Sequence, residues 1–416
     1  MLNFPAYILS KTIFEHQEDS MDIYVRQGDS LWYYSQLYRI NIQLIIDSNR
    51  DIQPSQLAAG QRVRIPGFFG QNYQIRRGDS FWSIAQNRNL SLDALLLANP
   101  NVNPNRLVVG QNIRVPLRIT WRLVQGKQNY DFSRMMSDIA RLQDVYPFLR
   151  VTNAGNSVLG NRIPEVLLGN GSKRVHYNAS FHANEWITTP ILMTFLNDYC
   201  LSLTNGNSIR GLSTFPLYRQ SMLSLVPMVN PDGVSLVMNG PPEDETLSNR
   251  VIELNRGSTD FSGWKANIRG VDLNDQFPAR WELEKARNPT EPGPRDYVGE
   301  RPLSEPEAIA MADLTRRRDF ARVLAFHTHG EVMYWGFENL EPPESEVLVN
   351  EFARVSGYEP VKTIESYAGY KDWFIQDWRR PGFTIELGTG TNPLPLTQFD
   401  EIYEEVLGIF LAGLYM

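Results

Sequence analysis

The chain has 416 residues, enough for two or three domains and at least one large core. Its single cysteine, Cys200, excludes an intrachain disulfide framework and a thiolate metal cluster, so a metal site has only His, Asp and Glu to draw on. A formal net charge of −7 argues against nucleic acid as the main partner, and no run of about 18 apolar residues is present to span a membrane.

Residues 1–20 carry Glu15, Glu18 and Asp19 where a signal peptide needs a basic start and an apolar stretch, so no secretory signal is expected. Met21 directly precedes the first patterned segment; the first twenty residues read as an upstream extension or a misassigned start, and His16 as a tail histidine. Charge then divides along the chain. Residues 21–120 hold eleven Arg, no Lys and six Asp, a net of +5, whereas residues 121–416 come to about −10. The N-terminal part therefore suits an anionic polymer.

A repeat at a spacing of 50 residues organises that part. Gly28-Asp29-Ser30 recurs as Gly78-Asp79-Ser80, Trp32 as Trp82, Gly60-Gln61 as Gly110-Gln111 and Pro66 as Pro116. Each copy reads as a β-run (Ile23 to Arg26; Tyr73 to Arg76), a Gly-Asp turn with Ser30 or Ser80 as N-cap, two helices, and a closing strand ended by proline (Arg62 to Ile65; Asn112 to Val115). Two βααβ units result, 22–67 and 71–117, joined by Gly67-Phe68-Phe69-Gly70. The pattern resembles the LysM module, and that resemblance implies binding to N-acetylglucosamine-containing glycans, above all peptidoglycan. Trp32, Tyr33 and Trp82 are open to two readings, as sugar platforms or as core residues.

Arg118 to Lys127 reads as a connector, and 125–416 as one large domain. Val175 to Phe181, Met222 to Val229, Val323 to His327 and Phe383 to Leu387 read as buried strands, and Asp131 to Asp144, Thr188 to Cys200 and Ser304 to Arg318 as helices. This alternation predicts an α/β domain with a mixed, mostly parallel twisted sheet flanked by helices. The Pro- and Gly-rich tract from Gly240 to Pro302 reads as irregular loops of the kind that carry sites.

Three of the five histidines fall at the ends of predicted strands. His182 and Glu185, three apart in a turn entering a helix, point to one side, and His327 completes a His, Glu, His set that leaves a coordination position open. His329, two residues on, competes on strand alternation alone. His176 reads as a plain strand histidine.

Met228-Val229-Asn230-Pro231-Asp232-Gly233, Gly270-Val271-Asp272-Leu273-Asn274, the strand ending in His327, and Phe383-Thr384-Ile385-Glu386-Leu387 follow His182-x-x-Glu185 in the order seen in the M14 metallocarboxypeptidases. The resemblance spans roughly 125–416. It implies zinc held by His182, Glu185 and His327, with His329 left either as a group supporting the ligands from behind or as a substrate-facing group. It further implies Glu386 as general base and Lys265, in Trp264-Lys265-Ala266-Asn267, as the cation that polarises the scissile carbonyl, with Arg269 as a neighbour able to share that task.

Departures from the family point to the substrate. The Asn-Arg pair that grips a C-terminal carboxylate is here Asn274-Asp275, and Asn184 stands where another arginine is expected. The specificity position two residues before Trp373 is Lys371. The mobile tyrosine has no direct counterpart: Ile364 aligns with it, and Tyr367 and Tyr370 lie nearby. A pocket offering both Lys371 and Asp275 suits a side chain with its own ammonium and carboxylate, as in meso-diaminopimelate. The combined architecture resembles the γ-D-glutamyl-diamino-acid endopeptidase I group of sporulating bacilli, which implies peptidoglycan glycan and stem peptides as partners. Without a secretory signal, a cytoplasmic or spore-associated location is expected, with cell-wall association through the repeats. A LysM-anchored general carboxypeptidase and a non-catalytic glycan-binding protein are the competing functions.

Overall fold

A computed structural model describes residues 19–416. The expectations for residues 1–18, His16 among them, lie outside the described residues. The chain divides into two compact units, one running to Thr120 and taking in Asp144–Phe148, the other formed by Trp121–Gln143 and Leu149–Met416.

The N-terminal unit is a three-stranded antiparallel sheet, β1 (Asp19–Tyr24), β2 (Arg62–Gln74) and β3 (Asn112–Arg118), with β2 central. Helices Leu31–Tyr38 and Ile42–Ser48 belong to the first repeat, Phe81–Asn87 and Leu92–Ala98 to the second. Ser30 and Ser80 cap their helices as expected, accepting from the amides of Tyr33 and Ser83. The closing strand of one repeat and the opening strand of the next are one continuous strand rather than two joined by a connector, because Phe68 and Phe69 of the intervening segment are buried. Proline does not end the strands either. Pro66 sits beside the bulge where β1 shifts register, and Pro116 lies on edge strand β3, the two settings in which a missing N–H is tolerated.

The C-terminal unit is built on β4 (Arg150–Asn156), β5 (Arg162–Gly169), β6 (Lys173–Ala179), β9 (Ser221–Val226), β10 (Arg322–His327), β11 (Val332–Tyr334), β12 (Glu359–Val361) and β13 (Gly382–Glu386); a small hairpin, β7 (Ser208–Ile209) and β8 (Leu212–Ser213), stands apart. The eight-stranded order is β12-β11-β13-β10-β6-β9-β5-β4. Its four central strands, β13, β10, β6 and β9, are mutually parallel, while β11 on β13, and β5 on β9 and β4, pair antiparallel. Every residue of β10 is buried, as a strand covered on both faces requires. Alternation on β6 shows the two layers: Tyr177 meets Phe195 and Phe410 on one face, His176 meets Phe320 and Tyr370 on the other.

The tract from Gly240 to Pro302 is more ordered than its composition suggests. It contains helices Glu245–Leu254 and Trp281–Lys285 and a 3-10 turn, Leu273–Asp275. Asp244 caps the first helix, and Val251 and Leu254 bury against Leu236, Phe261 and Trp264, so tertiary packing compensates for weak local propensity.

Candidate active site

The carboxyl ends of the central parallel strands converge, as is usual for sites on open α/β sheets. β6 delivers Phe181 and His182 just beyond its end, β10 ends at His327, and β13 ends at Glu386, the backbone neighbour of His327 in the sheet register. The Asn230-Pro231-Asp232-Gly233 turn fixes the surrounding loops. The Asn230 amide donates to the carbonyls of Phe181 (3.2 Å) and Ala266 (3.0 Å) and accepts from the Gly233 N–H (3.0 Å). A Cβ on Gly233 would come within 2.6 Å of Asn230 Oδ1 and 2.7 Å of the Ala266 carbonyl, so only glycine fits. A further backbone bond, Ala183 N–H to Lys265 O at 2.9 Å, ties the His182 turn to the Lys265 loop.

His182 Nδ1 lies 2.8 Å from Glu185 Oε1 and 3.1 Å from His327 Nδ1, which is itself 3.0 Å from Glu185 Oε2. All three residues are buried, and their ligand atoms lie within 4.8 Å of one another. Two imidazole nitrogens facing each other across a carboxylate suit a shared cation. The spacing is that of ligands each about 2.0–2.2 Å from one ion, and His2Glu is a zinc donor set that leaves room for water. Electrostatics agree: burial opposes a charge on His182, yet Glu185 and Asp272 outweigh it and raise the imidazole to about 9. Burial likewise opposes ionisation of Glu185, and the two histidines hold its carboxyl far below the usual range.

β10 stops at His327, so strand alternation no longer carries the chain at His329, which is exposed and outside the cluster. His176 is the plain strand histidine expected, buried against Phe320 with Nδ1 3.1 Å from Ser224 Oγ.

Asp272 joins the two halves of the site, and sequence reasoning passed over it as part of a motif. Its Oδ1 lies 3.2 Å from His182 Nε2 and its Oδ2 2.8 Å from Lys265 Nζ. A carboxylate behind a candidate ligand histidine fixes the ring's tautomer and orientation. The Lys265 ammonium also lies 3.3 Å from Asp296 Oδ1; burial works against its charge, but Asp272, Asp275 and Asp296 hold it protonated well above its ordinary range. Arg269 does not share this position, since its guanidinium turns to Glu305 at 3.5 Å.

Glu386 has no side-chain hydrogen-bond partner among the described residues. Burial, then the Glu185 carboxylate, push it up to about 8, against the pull of His182 and Lys265. Asp275 is half-buried and likewise unpartnered; burial and Asp272 raise it well above the carboxylate range despite Lys265. Asn184 is buried between two candidate ligand residues with its Oδ1 unsatisfied. Asn274 braces the chain, its backbone N–H donating to Asp272 Oδ1 and its side-chain Oδ1 accepting from Tyr370 N–H.

Two expected substrate-facing residues turn inward. Tyr370 is fully buried, its hydroxyl 2.8 Å from Thr315 Oγ1 and its ring among Phe181, Phe277 and Trp373, because it opens the helix Tyr370–Trp378 that packs onto the sheet. Lys371 is buried as well, its ammonium 2.5 Å from Asp372 Oδ1 and donating to the Gly336 carbonyl at 2.9 Å. Its charge is neutralised locally, so the structure does not offer the free cation expected opposite Asp275. Tyr367 is half-buried against Phe337 and under the Arg287 guanidinium, and Ile364 is exposed.

Residues 135–407 match the zinc carboxypeptidase (M14) family, about two-thirds of the chain. The chain belongs to that family. Its cofactor is zinc and its chemistry peptide-bond hydrolysis. Residues 23–66 and 73–116 match the LysM domain. The chain is 73% identical over 396 residues, 95% of its length and all of the relative's, to γ-D-glutamyl-L-diamino acid endopeptidase 1 of Lysinibacillus sphaericus. It is 26% identical over 279 residues, 61% of this chain and 62% of the relative, to carboxypeptidase B of Bos taurus. Bovine thrombin-activatable fibrinolysis inhibitor, solved with a tick carboxypeptidase inhibitor, shares the fold at a TM-score of 0.54 and 18% identity, over 70% of this chain and 97% of that one.

Proposed function

We propose that this M14 peptidase cuts the γ-D-glutamyl–meso-diaminopimelate bond of peptidoglycan stem peptides, held to its polymer by the LysM repeats. End-to-end similarity to a γ-D-glutamyl-L-diamino acid endopeptidase supports this reading. The observation that carries it is Asp275: an unpartnered carboxylate beside Lys265 and Asp272, at the position where a carboxypeptidase needs a cation. Held protonated by burial and Asp272, it offers no counter-charge to an ordinary C-terminal carboxylate, whereas an ammonium, which a diamino acid supplies, favours its ionised form and pairs with it.

In this mechanism His182, Glu185 and His327 would hold the zinc, which when bound would acidify a water molecule and polarise a carbonyl oxygen. Glu386, poised near neutral pH at the end of β13, takes a proton from the attacking water and passes it to the leaving amine. Lys265, fixed by Asp272 and Asp296, directs its ammonium at the oxygen that becomes negative in the transition state. Asp272, beside Nε2 of His182, would keep the proton on that nitrogen and leave Nδ1 free to hold the metal.

Incubation with L-Ala-γ-D-Glu-meso-diaminopimelate and, in parallel, with a peptide ending in Phe or Lys, with products identified by mass, tests the assignment. Release of diaminopimelate alone is expected. Turnover of the ordinary peptide alone would overturn it in favour of a wall-tethered carboxypeptidase.

A further inference from the structure

Glu386 ends β13 with no side-chain hydrogen-bond partner among the described residues, so its backbone alone places its carboxyl. That backbone stays paired just past the strand, where the Leu387 N–H donates to the His327 carbonyl at 2.9 Å and the Gly330 N–H to the Gly388 carbonyl at 2.7 Å. Beyond Gly388 the chain leaves the sheet, and two side chains take over the anchoring. Gln398 holds Thr389 in a reciprocal pair: the Thr389 N–H donates to Gln398 Oε1 at 3.2 Å, and Gln398 Nε2 donates to the Thr389 carbonyl at 2.8 Å. Asn392 makes a second reciprocal pair, with Thr328, the residue that follows His327. Thr328 Oγ1 donates to Asn392 Oδ1 at 2.6 Å, and Asn392 Nδ2 donates to the Thr328 carbonyl at 2.9 Å.

Thr328 also faces the candidate metal cluster. Its N–H donates to Glu185 Oε2 at 3.3 Å, the same oxygen that lies 3.0 Å from His327 Nδ1. The peptide groups on both sides of Thr328 are thus engaged, one by a candidate ligand carboxylate and the other by the Asn392 amide. Thr328 is buried, so water competes little for these bonds. Donors behind a metal-binding carboxylate fix which way it points, and a reciprocal pair fixes the donor itself in distance and direction.

We propose that Thr328 and Asn392 are a positioning pair for the hydrolysis: they lock the loop that follows Glu386 to the strand end that steers the Glu185 carboxylate, so that base and metal position keep one separation. Neither residue takes part in a chemical step. The inference rests on the zinc assignment and on Glu386 as the base. Small displacements of such groups are costly, because the base must reach its proton from a fixed place. No local pattern marks the pair, which closes across 64 positions of the chain.

The test uses the full chain, with three readouts: hydrolysis of L-Ala-γ-D-Glu-meso-diaminopimelate, zinc affinity by competition with a chelator, and the midpoint of thermal unfolding. Zinc affinity is read without substrate, so that arm stands apart from the choice of peptide bond. Thr328→Val keeps the branched shape and removes the hydroxyl donor; Asn392→Asp keeps the acceptor and removes the donor to the Thr328 carbonyl. Each should lower kcat about 10- to 100-fold with little change in KM. Each should also weaken zinc binding about tenfold. The double variant should lose little more than either single one, because the two bonds act as a unit. Thr328→Ser retains the hydroxyl and should restore both readouts. Wild-type kcat and zinc affinity in both single variants would overturn the inference. So would losses that add in the double variant and track a falling unfolding midpoint, which would show a contact that serves folding alone. A wild type that binds no zinc, or an undiminished rate in Glu386→Gln, would instead remove the assignments beneath it.

Discussion

Asp272 stands between His182 and Lys265, its two carboxylate oxygens 3.2 Å and 2.8 Å from them, so a single buried side chain orients a candidate zinc ligand and a candidate oxyanion partner. Asp272→Asn keeps the size and loses the charge. Zinc affinity, measured by competition with a chelator, should fall about 10- to 100-fold. kcat should fall with it even at saturating zinc, because Lys265 loses its closest anchor. Unchanged affinity would show that Asp272 does not support the ligand.

Removal of zinc by a strong chelator should abolish hydrolysis and lower the midpoint of thermal unfolding, since the three buried candidate ligand side chains would then lack a shared cation. Activity and midpoint should both return on adding zinc. Full activity in the chelated protein, verified metal-free by elemental analysis, would contradict the assignment.

Glu386→Gln should lower kcat about 10^3-fold with zinc still bound stoichiometrically, because the amide occupies the same space and accepts no proton. Lys265→Met should lower kcat about 10^2- to 10^3-fold with a smaller change in KM, the signature of an interaction that strengthens in the transition state. An effect of Lys265→Met on KM alone would reassign it to substrate binding.

Glu307 is wholly buried, accepting from the Val158 N–H at 3.0 Å, and burial raises it to about 7. A carboxyl whose folded pKa lies above its unfolded value binds its proton more tightly when folded. Its contribution is therefore favourable at acid pH and is lost as pH rises from the ordinary glutamate range through about 7. Glu307→Gln, which imitates the protonated form, should match the wild type near about pH 4 and exceed it by up to about 3 kcal/mol near about pH 8. Calorimetric unfolding of both proteins at the two pH values decides this; a constant difference would mean that Glu307 does not titrate with folding.

Gly233→Ala should disrupt the turn that Asn230 organises, because the added methyl meets both the Asn230 amide and the Ala266 carbonyl. The expected outcome is a loss of activity larger than the loss of stability, read as kcat against unfolding midpoint, since the displaced loops carry His182 and Lys265. An active but unstable variant would assign the turn to folding alone.

The chain's chemistry was legible in the sequence wherever it depended on local order. The 50-residue repeat, the helix caps at Ser30 and Ser80, and the buried strands that end at His327 and Glu386 all follow from spacing and hydrophobic pattern, which neighbouring residues determine. The sequence also placed His182, Glu185 and His327 at strand ends, where an α/β sheet collects its site. Only the tertiary structure decided which side chains face that site. Lys371 and Tyr370 point inward because the helix they begin packs on the sheet, and Lys371 finds Asp372 there; helical phase and burial, not residue type, make that choice. Asp272 acquires its place only when a turn 90 residues beyond His182 folds against it. Trp32 and Trp82 could be core or platform by composition, and their exposure is set by which faces of four short helices the sheet β1-β2-β3 covers, a property of packing that no local pattern encodes.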